Sequence, residues 1–422
     1  MRLRWIVLAL GLVPAWGQRT SPILDPVSGK TADDLVALAL TQNGELLAGR
    51  ELVKAAYGNI TQAGLKANPS LDSSESRQLT GSMSTFMVGA SLPLELYHRR
   101  ERRVEVAQGV AVATGAEQAN RERLLRGEVE AKFGAVLASI RNLQVVEELL
   151  DLNRKALELT QTRADQGATP PLDANLLRVE VNRIDAQRVE MEAKAGIDLL
   201  ELKSLLGMRP DEDLRLKGSL DLVPEGRGLE SSLEVRPDLV SIRAGENVAA
   251  ARLRQAETEA RPDVKVSANY QRSNSSFDLN GLNAAGQVRP IQGVFHFLAV
   301  GVSITLPVRN KNQGAIEVAV AQVQESKRRR EYSELTAARE VAVALLARDK
   351  AQEGLKIYRD GVRGQASQNL EVIRRTYELG RTQLLDVIAE QRRFIDIEMG
   401  YTDALTRLYQ ATVRLRTVTG GW

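Results

Sequence analysis

Two aspartates stand 213 residues apart in matching surroundings. Asp173 follows Gly167 in the run Gly-Ala-Thr-Pro-Pro-Leu-Asp, and Asp386 follows Gly380 in Gly-Arg-Thr-Gln-Leu-Leu-Asp. A carboxylate so placed can accept hydrogen bonds from the unpaired amides of a helix start, where the helix dipole favours negative charge. Reaction chemistry has little else to draw on. The chain has no Cys and only two His, His98 and His296. No metal-spaced cluster, glycine-rich phosphate loop or nucleophile elbow is present. The residues therefore predict no enzyme, no cofactor and no metal centre.

The elements that must carry these residues are repeated. Each turn glycine ends a long helix-like stretch and each aspartate sits near the start of another. Gly207 and Gly420 close the two halves and are again 213 residues apart. The plan in each half is helix, strand, strand, long helix, turn, helix. The first repeat covers residues 18–207, a connector 208–231 and the second repeat 232–420. In the first, a capping-box pattern at Thr31–Asp34 opens a helix running toward Asn68, which Pro69 stops. Strands follow over about 70–92, turning near Thr80-Gly81. A long helix over about 98–166 would extend roughly 100 Å. Pro170 and Pro171 open the next helix, to about Leu206. In the second repeat the strands are expected at about 263–273 and 294–306, separated by a Gly- and Asn-rich loop. A long helix follows over about 313–379, where Gly354, Gly361 and Gly364 mark a bend or a break. The last helix runs from about Leu384 to near Val418.

Composition limits what this plan can do. There are 57 basic and 54 acidic residues, net charge +3, so the charges are interspersed and nucleic-acid binding is not indicated. Three Trp, eight Tyr and six Phe suit long packed helices better than a large globular core. Arg2 and Arg4 precede an apolar run from Trp5 to Val13, with Ala15 and Gly17 at the cleavage positions. Residues 1–17 thus read as a signal peptide, with the mature chain starting at about Gln18. No other run is long and apolar enough for a membrane helix, and the absence of Cys excludes a lipidated N-terminal cysteine.

The strands offer another route into a membrane. Val264, Val266, Ala268 and Tyr270 alternate with Lys265, Ser267, Asn269 and Gln271, a period of two with one apolar side. Phe295 and Phe297, flanking His296, are expected to face lipid or to sit at a barrel rim. Four strands cannot close a membrane barrel, which takes at least eight, and an open sheet in lipid leaves its edge groups bare. If these are membrane strands, the chain supplies a fraction of a shared barrel. A soluble periplasmic coiled-coil scaffold carrying two hairpins is the competing reading.

With the duplicated plan and its turns in hand, the chain resembles the TolC-like outer-membrane efflux protein family from about Thr31 to Gly420. The resemblance rests on Arg374–Val387, on the Asn68-Pro69 and Leu92-Pro93 strand borders, and on Tyr401–Leu405, in order across both repeats. It implies a mainly α protein with membrane β-structure: a homotrimer whose four strands per chain make one 12-stranded barrel in outer-membrane lipid, continuous with a periplasmic α-helical barrel. It implies an exit duct of a tripartite pump, opened at its periplasmic tip by a periplasmic adaptor and an inner-membrane transporter. The look is most like the heavy-metal branch served by resistance-nodulation-division transporters; a duct for type I protein secretion would have the same body. The resemblance also implies a gate. Tyr377 would reach Asp173, Asp386 would line a narrow ring, and Gly167, Gly380, Arg381 and Thr382 would form the tips that meet the adaptor. Two positions depart from the best-known member: Ala389 replaces an acidic residue, and Thr382 stands where that member has Arg, with Arg381 adjacent.

Overall fold

The structure, a computed structural model, describes residues 23–79, 83–221 and 233–420. The expected signal peptide, the expected turn near Thr80-Gly81 and the end of the expected connector lie outside the described residues. The chain divides into two compact units. One is built from the described residues within 1–47, 122–231 and 339–422, and the other from those within 48–121 and 232–338.

The first helix, α1 (Ala32–Gln42), starts at a complete capping box: Asp34 N–H donates to Thr31 Oγ1, and Thr31 N–H to Asp34 Oδ2. The expected single helix toward Asn68 is instead two. Asn43 takes an extended backbone conformation, and its Oδ1 accepts from Leu46 N–H at 3.1 Å, so it caps the start of α2 (Gly44–Gly64). A side chain able to replace the first backbone bonds makes the interruption favourable. The helix then ends at Gly64, ahead of Pro69.

Four strands, β1 (Ser70–Arg77), β2 (Ser84–Leu94), β3 (Asp263–Leu282) and β4 (Val288–Thr305), form one antiparallel sheet in the order β1-β2-β3-β4. Its register sorts the two faces. Leu94, Val264 and Ile304 align across β2, β3 and β4, as do Leu92, Val266 and Val302, and Val88, Tyr270 and Leu298. The opposite face carries Ser91, Ser267 and Gly301, and Gly89, Asn269 and Ala299. The apolar face is open on this chain, with Leu298 78% and Val300 74% exposed. Phe295 and Phe297 fall on the small and polar face, opposite in parity to Leu298 and Val300, and both are exposed. On the apolar face Tyr270 stacks on His296, with Oη 2.7 Å from Nδ1.

The second hairpin is longer than expected. Strand pairing runs on through the Gly- and Asn-rich stretch, past a bulge between Phe277 and Asn280, to Leu282 opposite Val288. Polar residues without alternation carry no strand signal of their own; the partner strand supplies it. Beyond Asn274, opposite Ser84 at the start of β2, β3 and β4 pair with each other alone among the described residues.

The long helix α3 (Arg99–Asp165) is followed by α4 (Pro171–Leu206). In the second repeat α5 (Pro237–Glu259) precedes β3, and α6 (Gln313–Ile357) follows β4. The expected continuous helix to Leu379 is interrupted by a π turn at Tyr358–Val362, where Arg363 N–H reaches back to Tyr358 C=O, before α7 (Arg363–Glu378). Gly354, Gly361 and Gly364 weaken the helix here. The last helix is α8 (Leu384–Thr419).

The main core lies in the first unit. Leu35 and Ala39 of α1, Val129, Val136 and Ile140 of α3, Leu202 and Leu206 of α4, and Leu405 and Tyr409 of α8 are fully or almost fully buried together. Leu216 of the connector joins this core and exchanges backbone hydrogen bonds with Ile23 and Asp25. Burying apolar area is what holds these long, weakly amphipathic helices in place.

Candidate functional site

Both turns lie in the first unit and are built alike. Gly167 and Gly380 have φ of 72° and 70°, a left-handed conformation in which an L side chain is strained. At the first turn Gly167 N–H donates to Ala164 C=O and Ala168 N–H to Arg163 C=O; at the second Gly380 N–H donates to Tyr377 C=O and Arg381 N–H to Thr376 C=O. These are two Schellman motifs with the same pair of bonds. The following helices also start alike, with Asp173 N–H donating to Pro170 C=O and Asp386 N–H to Gln383 C=O, each at 3.1 Å. No atom lies within 4 Å of a Cβ built on either glycine. Gly167, Gly380 and Arg381 are exposed and Thr382 is half-buried.

The side chains diverge where the backbones agree. Asp386 is exposed, and its Oδ2 accepts from Gln383 N–H at 3.3 Å, completing a capping box at the start of α8. Asp173 is half-buried. Tyr377, on α7, packs against the buried cluster of Leu177 of α4 with Leu384 and Ile388 of α8, which Leu157 of α3 also joins. Burial first, and then the nearby Asp173 carboxylate, push its phenol pKa up, while a hydrogen bond with Thr160 and the charge of Arg163 oppose the shift. The structure therefore brings Tyr377 and Asp173 into one electrostatic neighbourhood and leaves Asp386 on its own helix end. Thr160, buried on α3, escaped the sequence reading; its signal was weak, one of two threonines, with Thr162, in the two helical turns before Gly167. Glu390, neighbour of Ala389, turns inward at 8% exposure and accepts from Arg393 at 2.8 Å.

Among the described residues no group of three or more His, Asp or Glu is placed to hold a metal ion. None of the described helices is long and apolar enough to cross a membrane. What the site offers is contact chemistry: two glycine turns of the same geometry, a phenol packed among helices and an exposed carboxylate that caps its own helix.

Known proteins carry the same design. Over 395 residues the chain is 22% identical to the cobalt-zinc-cadmium resistance protein CzcC of Cupriavidus metallidurans, covering 92% of this chain and 90% of that protein. Its fold matches the solved structure of the CusC channel with a TM-score of 0.75 at 19% identity, over 94% of this chain and 93% of that one. It also matches the CmeC outer-membrane channel of Campylobacter jejuni with a TM-score of 0.76 at 13% identity, over 96% and 90% of the two chains. The profile of the outer membrane efflux protein family matches twice, over residues 35–208 and 228–421, once for each copy of the plan. The chain belongs to the outer membrane efflux protein family.

Proposed function

We propose that three copies of this chain assemble into the exit duct of a tripartite efflux system, sharing one 12-stranded barrel. The carrying observation is the four-stranded sheet. Among the described residues β1 and β4 each pair on one side only, and one face of the sheet is apolar and exposed. Edges bare in lipid cost several kcal/mol per unpaired group, and neighbouring copies remove them by pairing β4 of one with β1 of the next. The duct performs no chemistry. An inner-membrane transporter of the resistance-nodulation-division type supplies the energy, and a periplasmic adaptor engages the paired turns at Gly167 and Gly380, with Arg381 and Thr382 beside them. Likeness to a cobalt-zinc-cadmium resistance protein supports heavy-metal cations as the cargo.

In this reading the turns are the gate. Tyr377 and Asp173 clasp the two helical hairpins, and Asp386, exposed at the start of α8, lines the aperture, where three carboxylates around one axis would attract cations. The test is electrical. Purified protein should run as a trimer in detergent and conduct in planar bilayers, and Asp173→Ala and Tyr377→Phe should each raise single-channel conductance. A monomer that forms no channel would overturn the duct; unchanged conductance in both variants would overturn the clasp.

A further inference from the structure

Deeper along α4 and α8, past the turns, lies a contact that neither turn accounts for. Glu180 of α4 is 1% exposed, yet it is a charged residue. From its own helix Arg183 donates through Nη2 to Oε1 at 2.7 Å and through Nε to both carboxylate oxygens at 3.1 Å. From α8 Arg392 donates through Nη2 to Oε2 at 2.7 Å and through Nε to Oε1 at 3.5 Å. Burial works to raise the Glu180 carboxyl, but the two guanidinium groups outweigh it and hold the pKa below the usual range.

The surroundings make this bond strong. On the turn side Leu177 packs with Leu384 and Ile388; on the other side Val181 and Ile184 pack with Ile395. The carboxylate end of these charge-assisted hydrogen bonds is shielded from water by the apolar clusters, while the guanidinium ends reach solvent. The two arginines differ in position. Arg392 comes from the opposite hairpin and its side chain is 53% exposed, so it can withdraw into water. Arg183 shares a helix with Glu180 and stays. A buried carboxylate stripped of every partner is strongly destabilising, and Arg183 prevents that when Arg392 leaves. The arrangement is not a relic of the duplication either. One repeat length on, Glu180 corresponds to Arg393 and Arg183 to Asp396, so the charges are reversed.

We propose that Glu180 and Arg392 form a second, releasable clasp between the two hairpins, with Arg183 keeping Glu180 paired while the channel is open. The proposal rests on reading the turns as a gate. Single-channel conductance of the full-length protein in planar bilayers tests it, using Glu180→Gln, Arg392→Gln, the double variant and Tyr377→Phe. Each clasp substitution shifts the population toward the open form and raises mean conductance by about twofold or more. The double variant gains no more than the larger single, because both remove one contact. Arg392→Lys, which keeps the charge but not the forked geometry, falls between. Additive gains in the double variant would show two independent effects and overturn the clasp. If Tyr377→Phe raises conductance while Glu180→Gln and Arg392→Gln do not, the clasp is wrong and the gate survives. If none of the three does, the gate reading fails and the clasp with it. Should Glu180→Gln yield no channels, the half-exposed Arg392 variants decide.

Discussion

Gly134 of α3 lies directly against the ring of Tyr409 in α8: a Cβ on Gly134 would stand 2.4 Å from Tyr409 Cδ1 and 2.5 Å from Cε1. Tyr409 is 2% exposed, so its ring has no free space to retreat into. The absent side chain is what lets α3 and α8 close on the main core. Gly134→Ala gains about 1 kcal/mol of helix propensity and loses about 1–3 kcal/mol to overpacking. The expected result is a net loss, seen as a lower thermal midpoint by circular dichroism of the detergent-solubilised protein. A midpoint raised by the substitution would show that the two helices are free to part.

The turn glycines should respond differently to different replacements. At φ near 70°, alanine costs about 1–2 kcal/mol, whereas Asn enters this region more readily. Hydrogen exchange at the Ala168 and Arg381 amides, which close the two Schellman motifs, reports the effect locally. Exchange should quicken in Gly167→Ala and Gly380→Ala and remain near the native rate in the Asn variants.

Glu130 of α3 sets a pH dependence. It is 2% exposed, and burial pushes its carboxyl up to about 7 although Arg416 lies 3.0 Å away. Between the ordinary carboxylate value and about 7, the folded state therefore holds a proton that the unfolded state has released. Stability is greatest on the acid side of this window, falls as pH rises through it, and the loss is complete above the folded pKa. The thermal midpoint should drop across that range, and Glu130→Gln should flatten the drop. An equal slope in the variant would assign the effect to other groups.

Arg363 begins α7 where the π turn ends. Its Nε donates to Glu398 Oε1 at 2.6 Å, and its guanidinium lies 4.9 Å from the Tyr401 ring centroid, a ring also contacted by Arg141 at 5.2 Å. Glu398 is 4% exposed, so Arg363→Ala strands a buried carboxylate. A loss of about 2 kcal/mol or more is expected. Combining it with Glu398→Gln should recover part of the loss, as measured by chemical denaturation. No recovery would mean that stacking on Tyr401, not the ion pair, carries the contact.

The duplicated order of elements, the two glycine turns and the alternation in β3 could be read from the amino acids alone. Each depends on local physics: a left-handed backbone selects glycine, proline excludes the helix interior, and a half-buried strand alternates. The fold class followed from those signals because they recur in order across both halves. The Gly- and Asn-rich length of the β3–β4 ribbon did not, since only the opposing strand makes it a strand. The split at Asn43 turns on one side chain capping the next helix, and the π turn coincides with Tyr358 seated over Gly400, where a Cβ would come within 2.7 Å of its hydroxyl. At the candidate site the spacing from two glycines singled out Asp173 and Asp386, and the family resemblance added Tyr377. Tertiary structure alone shows that Thr160 of α3 bonds with Tyr377 and that Glu180 meets an arginine 212 residues away. Contacts at that separation depend on which faces of α4 and α8 meet, and that is decided by apolar packing over the whole length of the helices rather than by any one residue's neighbours in the chain.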